Sequence, residues 1–103
     1  MKINAVLKAL AHPIRREIIS LLQEEPMTAG AIADRFQVSK PTMSTHFSAL
    51  KEAGLIFSER DGVTLTYHLD ATVAEEALSM MMDLLKVGEA TSVESRSSRN
   101  KPA

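Results

Sequence analysis

The sequence predicts a mainly α-helical domain of five helices, with a two-stranded β-ribbon between the fourth and the fifth. Three observations lead there. Apolar residues recur at helical spacing in five separate segments. Around Asp61-Gly62 the period changes from helical to two, the mark of a hairpin. Hydroxyl residues that can cap a helix, Thr28 and Ser39, each precede such an apolar segment. A length of 103 residues fits one domain.

Ile3, Val6, Leu7 and Leu10 stand at i, i+3, i+4 and i+7, giving an amphipathic first helix over about residues 2–11. His12-Pro13 interrupts it, and Pro13, tolerated at a first helical position, opens the second helix. Ile14, Ile18, Ile19, Leu21 and Leu22 form the apolar set of that helix, which Glu24, Glu25 and Pro26 close. Thr28 caps a third helix with Ala29, Ile32, Ala33 and Phe36 inward. Gln37-Val38 is a short turn with Val38 as an apolar plug, and Ser39 caps the fourth helix. Pro41 falls in its first turn, where a missing N–H costs little. Met43, Phe47 and Leu50 face inward, and Gly54 ends the helix in a left-handed conformation.

In the ribbon, Val63, Leu65, Tyr67 and Leu69 alternate with Thr64, Thr66 and His68, so one face packs and the other is wet. Asp61-Gly62 is its expected two-residue loop. Thr72-Val73-Ala74-Glu75 has the form of a capping box and opens the fifth helix. The apolar stripe of that helix, from Val73 to Val87, is too broad for a helix that covers one core and then meets water. A second subunit is the simplest cover for it. Gly88 is the expected stop. The folded domain is thus 1–88, and residues 89–103, without periodicity, are expected to be a disordered tail.

Composition narrows the function. No cysteine is present, which excludes disulfides, thiolate metal sites and thiol switches, and fits a cytoplasmic protein. Aromatic residues are only 4 %, too few for the stacking platforms of single-strand binders. No apolar run reaches the ~18 residues of a membrane span, so no membrane insertion is expected. The net charge of −1 is unevenly spread. Residues 70–90 carry Lys86 against Asp70, Glu75, Glu76, Asp83 and Glu89, so this end should point away from any polyanion. Residues 28–69 are balanced, with Arg35, Lys40, Lys51 and Arg60 against Asp34, Glu52, Glu59 and Asp61.

Two short helices joined by a tight turn, as in Thr28–Gly54, suit double-stranded DNA: the second fits the major groove and its first turns reach base edges. With Met43, Phe47 and Leu50 inward, Pro41, Thr45 and Ser48 lie nearly opposite, and Lys40, Thr42 and Ser44 on the flanks. Their short polar groups allow close approach, and hydroxyls bond bases or phosphates. Thr28 could offer a phosphate the N–H groups of a helix start, or act as a plain cap. Arg60 and Thr64 flank the hairpin tip, where Arg60 could reach a phosphate.

Helices in this order with an Asp-Gly hairpin make a winged helix-turn-helix, and the chain resembles the ArsR family of small bacterial repressors, most closely its SdpR-like branch. The resemblance runs through Lys8–Leu22, Met27–Ala33, Val38–Leu55, Arg60-Asp61-Gly62 and Tyr67-His68-Leu69, covering about residues 3–87. It implies an operator-binding repressor and a homodimer formed by the first and last helices. On those helices Ile3, Val6, Leu7, Leu78, Met81, Met82 and Leu85 are the expected interface. It also places Lys40, Pro41, Ser44 and Thr45 where the family touches bases or adjacent phosphates. The family often has a basic or amide residue after the turn glycine, where this chain has Val63.

Other residues read as structural. Arg15 and Arg16, which match a basic pair of the family, are expected to pair with a neighbouring acid. His46, beside the inward face of the fourth helix, is expected to be a hydrogen-bonded core histidine, and His12 a turn or cap residue. His12, His46 and His68 are scattered, whereas zinc needs three or four converging ligands, so neither metal nor cofactor is expected. Met80-Met81-Met82 points in three directions on a helix and reads as adaptable packing. No nucleophile–base pair or phosphate loop suggests catalysis. The rival to a DNA-binding repressor is a winged-helix protein-interaction module. Any effector, protein or otherwise, would act first through the last helix.

Overall fold

A computed structural model describes residues 1–86. Helices α1 (Ile3–Leu10) and α2 (Pro13–Glu24) lead into a two-residue strand β1 (Met27–Thr28) and a short α3 (Ala29–Ala33). Helix α4 (Lys40–Glu52), strands β2 (Ile56–Asp61) and β3 (Thr64–Leu69), and α5 (Ala71–Leu85) follow. The sheet is antiparallel with order β1-β3-β2. The expected tail of 89–103 lies outside the described residues, as does Gly88 itself.

The core forms where the amphipathic faces of α1 to α4 meet the inner side of the sheet. Val6, Ile18, Ile32 and Leu50 are fully buried there, with Met43, Phe47, Leu55 and Tyr67 around them. Phe47 and Tyr67 stack with centroids 4.6 Å apart, tying α4 to β3. Val6, expected at an interface between subunits, is 0 % exposed in the single chain and belongs to this core.

Four local features differ from the sequence reading. First, Met27 and Thr28 pair with Tyr67 and Thr66, adding a third strand to the ribbon. Second, the hairpin register joins Asp61 to Thr64, so the loop is Gly62-Val63 rather than Asp61-Gly62. Gly62 alone of the pair has positive φ, as a type II′ turn requires. Val63 therefore stands at the tip, 97 % exposed, and does not join the packed face. Third, Asp70 caps α5, its carboxylate accepting the Val73 N–H at 3.3 Å, and Thr72 lies inside the helix. Fourth, α5 ends at Leu85, before Gly88, with Lys86 in the left-handed conformation.

Gly54 closes α4 with φ +78°, and its N–H donates to the carbonyl of Lys51. A Cβ there would meet only Val73 methyls at 3.8 and 3.9 Å, ordinary contacts. The cost of Gly54→Ala is thus conformational: about 1–2 kcal/mol of stability, read as a lower midpoint in urea with an unchanged slope.

Candidate nucleic-acid interface

The local chemistry of α3 and α4 explains why they sit as they do. The Thr28 hydroxyl accepts the Ala31 N–H at 3.1 Å, so one residue both bridges to β3 and starts α3. The cap is thus present, and the other N–H groups of the helix start are left as they were in the sequence reading. Ser39 plays the same part for α4: its hydroxyl oxygen accepts the Thr42 N–H at 3.3 Å and its O–H donates to Thr42 Oγ1 at 2.9 Å. Pro41 follows at the second helical position, where it breaks no backbone bond.

Met43, His46, Phe47 and Leu50 form the buried side of α4. Lys40, Pro41, Thr42, Ser44, Thr45 and Ser48 are all exposed on the same helix. One detail was not legible beforehand: the Thr45 hydroxyl donates to its own helix, at the Pro41 carbonyl, 3.1 Å away. With its proton engaged, Thr45 offers its methyl group and oxygen lone pairs to a partner. A methyl suits the C5-methyl of thymine and a lone pair suits an exocyclic amine of adenine or cytosine. On the ribbon, Arg60 and Thr64 are exposed near the tip.

The ribbon's outer face is locked by its register. Phe57 lies opposite His68, their rings nearly parallel with centroids 5.0 Å apart. His68 Nε2 is 2.8 Å from Glu59 Oε1, a contact that requires a proton on that nitrogen, since two acceptors at this distance repel. The contact is close without being an aligned hydrogen bond, and the buried nitrogen has no hydrogen-bond partner. Among the described residues no three histidine or acidic groups are placed to hold a metal ion.

Behind α4, the Arg15 Nε donates to His46 Nδ1 at 3.0 Å, and the His12 ring meets His46 edge-on with centroids 4.7 Å apart. The sequence predicted a hydrogen-bonded His46 but not its partner. Among the described residues the arginine pair lacks the acid partner expected for it: Arg16 donates instead to the Leu10 carbonyl at 2.8 Å. His12 and Arg15 come from the start of α2 and His46 from mid-α4, and only the helix crossing brings them together.

Two helices around a tight turn, the second exposed beside a β-hairpin, define a winged helix-turn-helix, an architecture of DNA-binding regulators. A family model described as a helix-turn-helix domain matches residues 10–57. The chain is 40 % identical over 86 residues to the transcriptional repressor SdpR of Bacillus subtilis, an alignment covering 84 % of this chain and 96 % of that one. It is 29 % identical over 77 residues to the arsenical resistance operon repressor of Staphylococcus aureus, covering 75 % and 74 % of the two chains. A crystal structure of an ArsR family transcriptional regulator superposes with a TM-score of 0.78 over 86 % of this chain and 98 % of the other, a likeness of fold at 22 % identity. The chain belongs to the ArsR family of winged helix-turn-helix transcriptional repressors, which are DNA-binding regulators and not enzymes.

Proposed function

We propose that the protein is a sequence-specific repressor acting in the cytoplasm, which binds a roughly palindromic operator as a homodimer. The observation that carries this is the exposed, hydroxyl-rich face of α4, held clear of the core by its four buried residues. Lys40, Thr42, Ser44, Thr45 and Ser48 meet the major groove there, and Pro41 adds a flat apolar contact. Arg60 and Thr64 on the ribbon reach the neighbouring backbone, and Thr28, at the start of α3, offers a phosphate the N–H groups there.

The homodimer rests on α5. Ala77 is its only buried residue, while Leu78, Met80, Met82, Leu84 and Leu85 are 41–76 % exposed. An apolar face of this extent on a soluble chain marks a protein–protein contact. Leu7 on α1, 42 % exposed, and the half-exposed Ile3 and Met81 complete the surface. A two-fold axis through it presents two α4 helices to successive major grooves, about 34–36 Å apart.

Selection of bound duplexes from a random pool tests the reading directly. Enrichment of an inverted repeat is expected, with half-sites about 10 base pairs apart or a multiple of that spacing. Lys40→Ala should weaken binding to all duplexes alike, because a phosphate contact carries no sequence information. Thr45→Ala should flatten the preference at one base pair per half-site, worth about 1–3 kcal/mol, while Thr45→Val, which keeps the methyl positions, retains part of it. Failure to enrich any motif would favour a protein-interaction module instead.

A further inference from the structure

Arg15 has no exposed role in the interface just described, yet it holds a polar link between α2 and α4. Arginine is a donor only, so the Nδ1 that accepts its Nε–H must carry a free lone pair. His46 is therefore neutral, with its proton on Nε2. His46 is 4 % exposed and lies on α4 between Met43 and Leu50, one turn after Thr42 and next to Thr45 in the chain. A rotation of α4 about its axis would move the reading face and this bond together.

We propose that Arg15 is a positioning residue for operator recognition: its hydrogen bond to neutral His46 fixes the rotation of α4, and a second proton on His46 releases it. This rests on the DNA-binding reading above. Protonation removes the only acceptor on the ring and sets an imidazolium against a guanidinium, so the contact changes from attractive to repulsive. The groups facing His46 from α2 are Arg15 and His12, both of which oppose its charging. From α1, Lys8 lines the same groove as Arg15, together with Glu52 of α4. The charged residues of β2, Glu59, Arg60 and Asp61, are exposed on the hairpin. Burial, then His12, then Arg15 lower the His46 pKa below the ordinary 6.5. A lowered histidine pKa means that the unfolded chain binds the proton more readily. The neutral, bonded arrangement is thus fully favoured above pH 6.5 and lost as the pH falls through the lowered value.

The test compares the full-length protein with Arg15→Met and His46→Asn, using the duplex selected above. Asparagine retains an acceptor near the position of Nδ1 but does not titrate. Wild-type affinity is expected to fall as the pH is lowered below 6.5, reaching about a tenfold loss once His46 is fully protonated, the scale set by losing a charged hydrogen bond. His46→Asn should keep most of the affinity and lose that pH dependence. Arg15→Met should bind about tenfold more weakly at neutral pH, again on the scale of a charged hydrogen bond. Nitrogen NMR of the His46 ring, without DNA, should show the Nε2–H tautomer in the wild type. An Nδ1–H tautomer overturns the proposal outright. A selected motif bound with the same pH profile by wild type and His46→Asn overturns the positioning role and leaves the repressor reading standing. No selected motif overturns both.

Discussion

Glutamate at both Leu78 and Leu85 is expected to leave the protein monomeric and to weaken operator binding at least a hundredfold. These two leucines are 59 % and 67 % exposed on α5, so the single chain loses little packing when they change. A proposed dimer, by contrast, would have to bury four carboxylates in an apolar contact, which association cannot tolerate unless they are paired. Once the subunits separate, the second half-site is no longer held near its helix, and the gain from linked binding, about 10²–10⁴-fold, disappears. Sedimentation equilibrium reads the mass, and the same samples serve for operator titration. A double variant that remains dimeric would show that α5 is not the contact. Unchanged circular dichroism separates loss of association from loss of folding.

The largest expected effect on a single chain is at Leu50. It is 0 % exposed and is the last inward residue of α4. Leu50→Ala removes its packing atoms and leaves a cavity that Ile18, Ile32 and their neighbours cannot close, since they are held by separate helices. The cost should be about 2–5 kcal/mol, a large part of the stability of a small domain. Urea denaturation measures it. Binding should fall in proportion to the unfolded fraction, with base preference unchanged, because Leu50 touches no reading residue. An altered preference would show that the core under α4 also tunes its orientation.

Much of this was legible in the sequence, for identifiable reasons. Helix α4 announced itself through its serine cap, its early proline and the i, i+4, i+7 spacing of Met43, Phe47 and Leu50, and these signals agree with one another. Strand β1 was not legible. Two residues carry no period, and Met27-Thr28 became a strand only because β3 presented a free edge beside α2. The hairpin loop was misplaced by one residue because Asp61-Gly62 and Gly62-Val63 are both acceptable turns. The choice lies in the Phe57–His68 stack and the Glu59 contact, which need residues from both strands. For α5, Asp70 reached the helix start before Thr72 because β3 runs directly into it.

The reading surface of α4 was placed from a helical wheel, and its residues are exposed as the wheel requires. Two features of the site needed coordinates. The Thr45 proton is held by the Pro41 carbonyl, a bond that depends on the side-chain rotamer. The Arg15–His46 bond joins residues 31 positions apart, a pairing fixed by how α2 crosses α4.

Thr28 ends one strand and begins one helix. That economy joins the ribbon to the helix-turn-helix with no linker residue between β1 and α3. In the proposed dimer each subunit would then meet its half-site as a fixed stamp. Tolerance for operators of differing pitch or spacing would have to come from the seam between two stamps, so the genome addresses open to such a dimer would be set partly by α5, a helix outside the proposed reading surface.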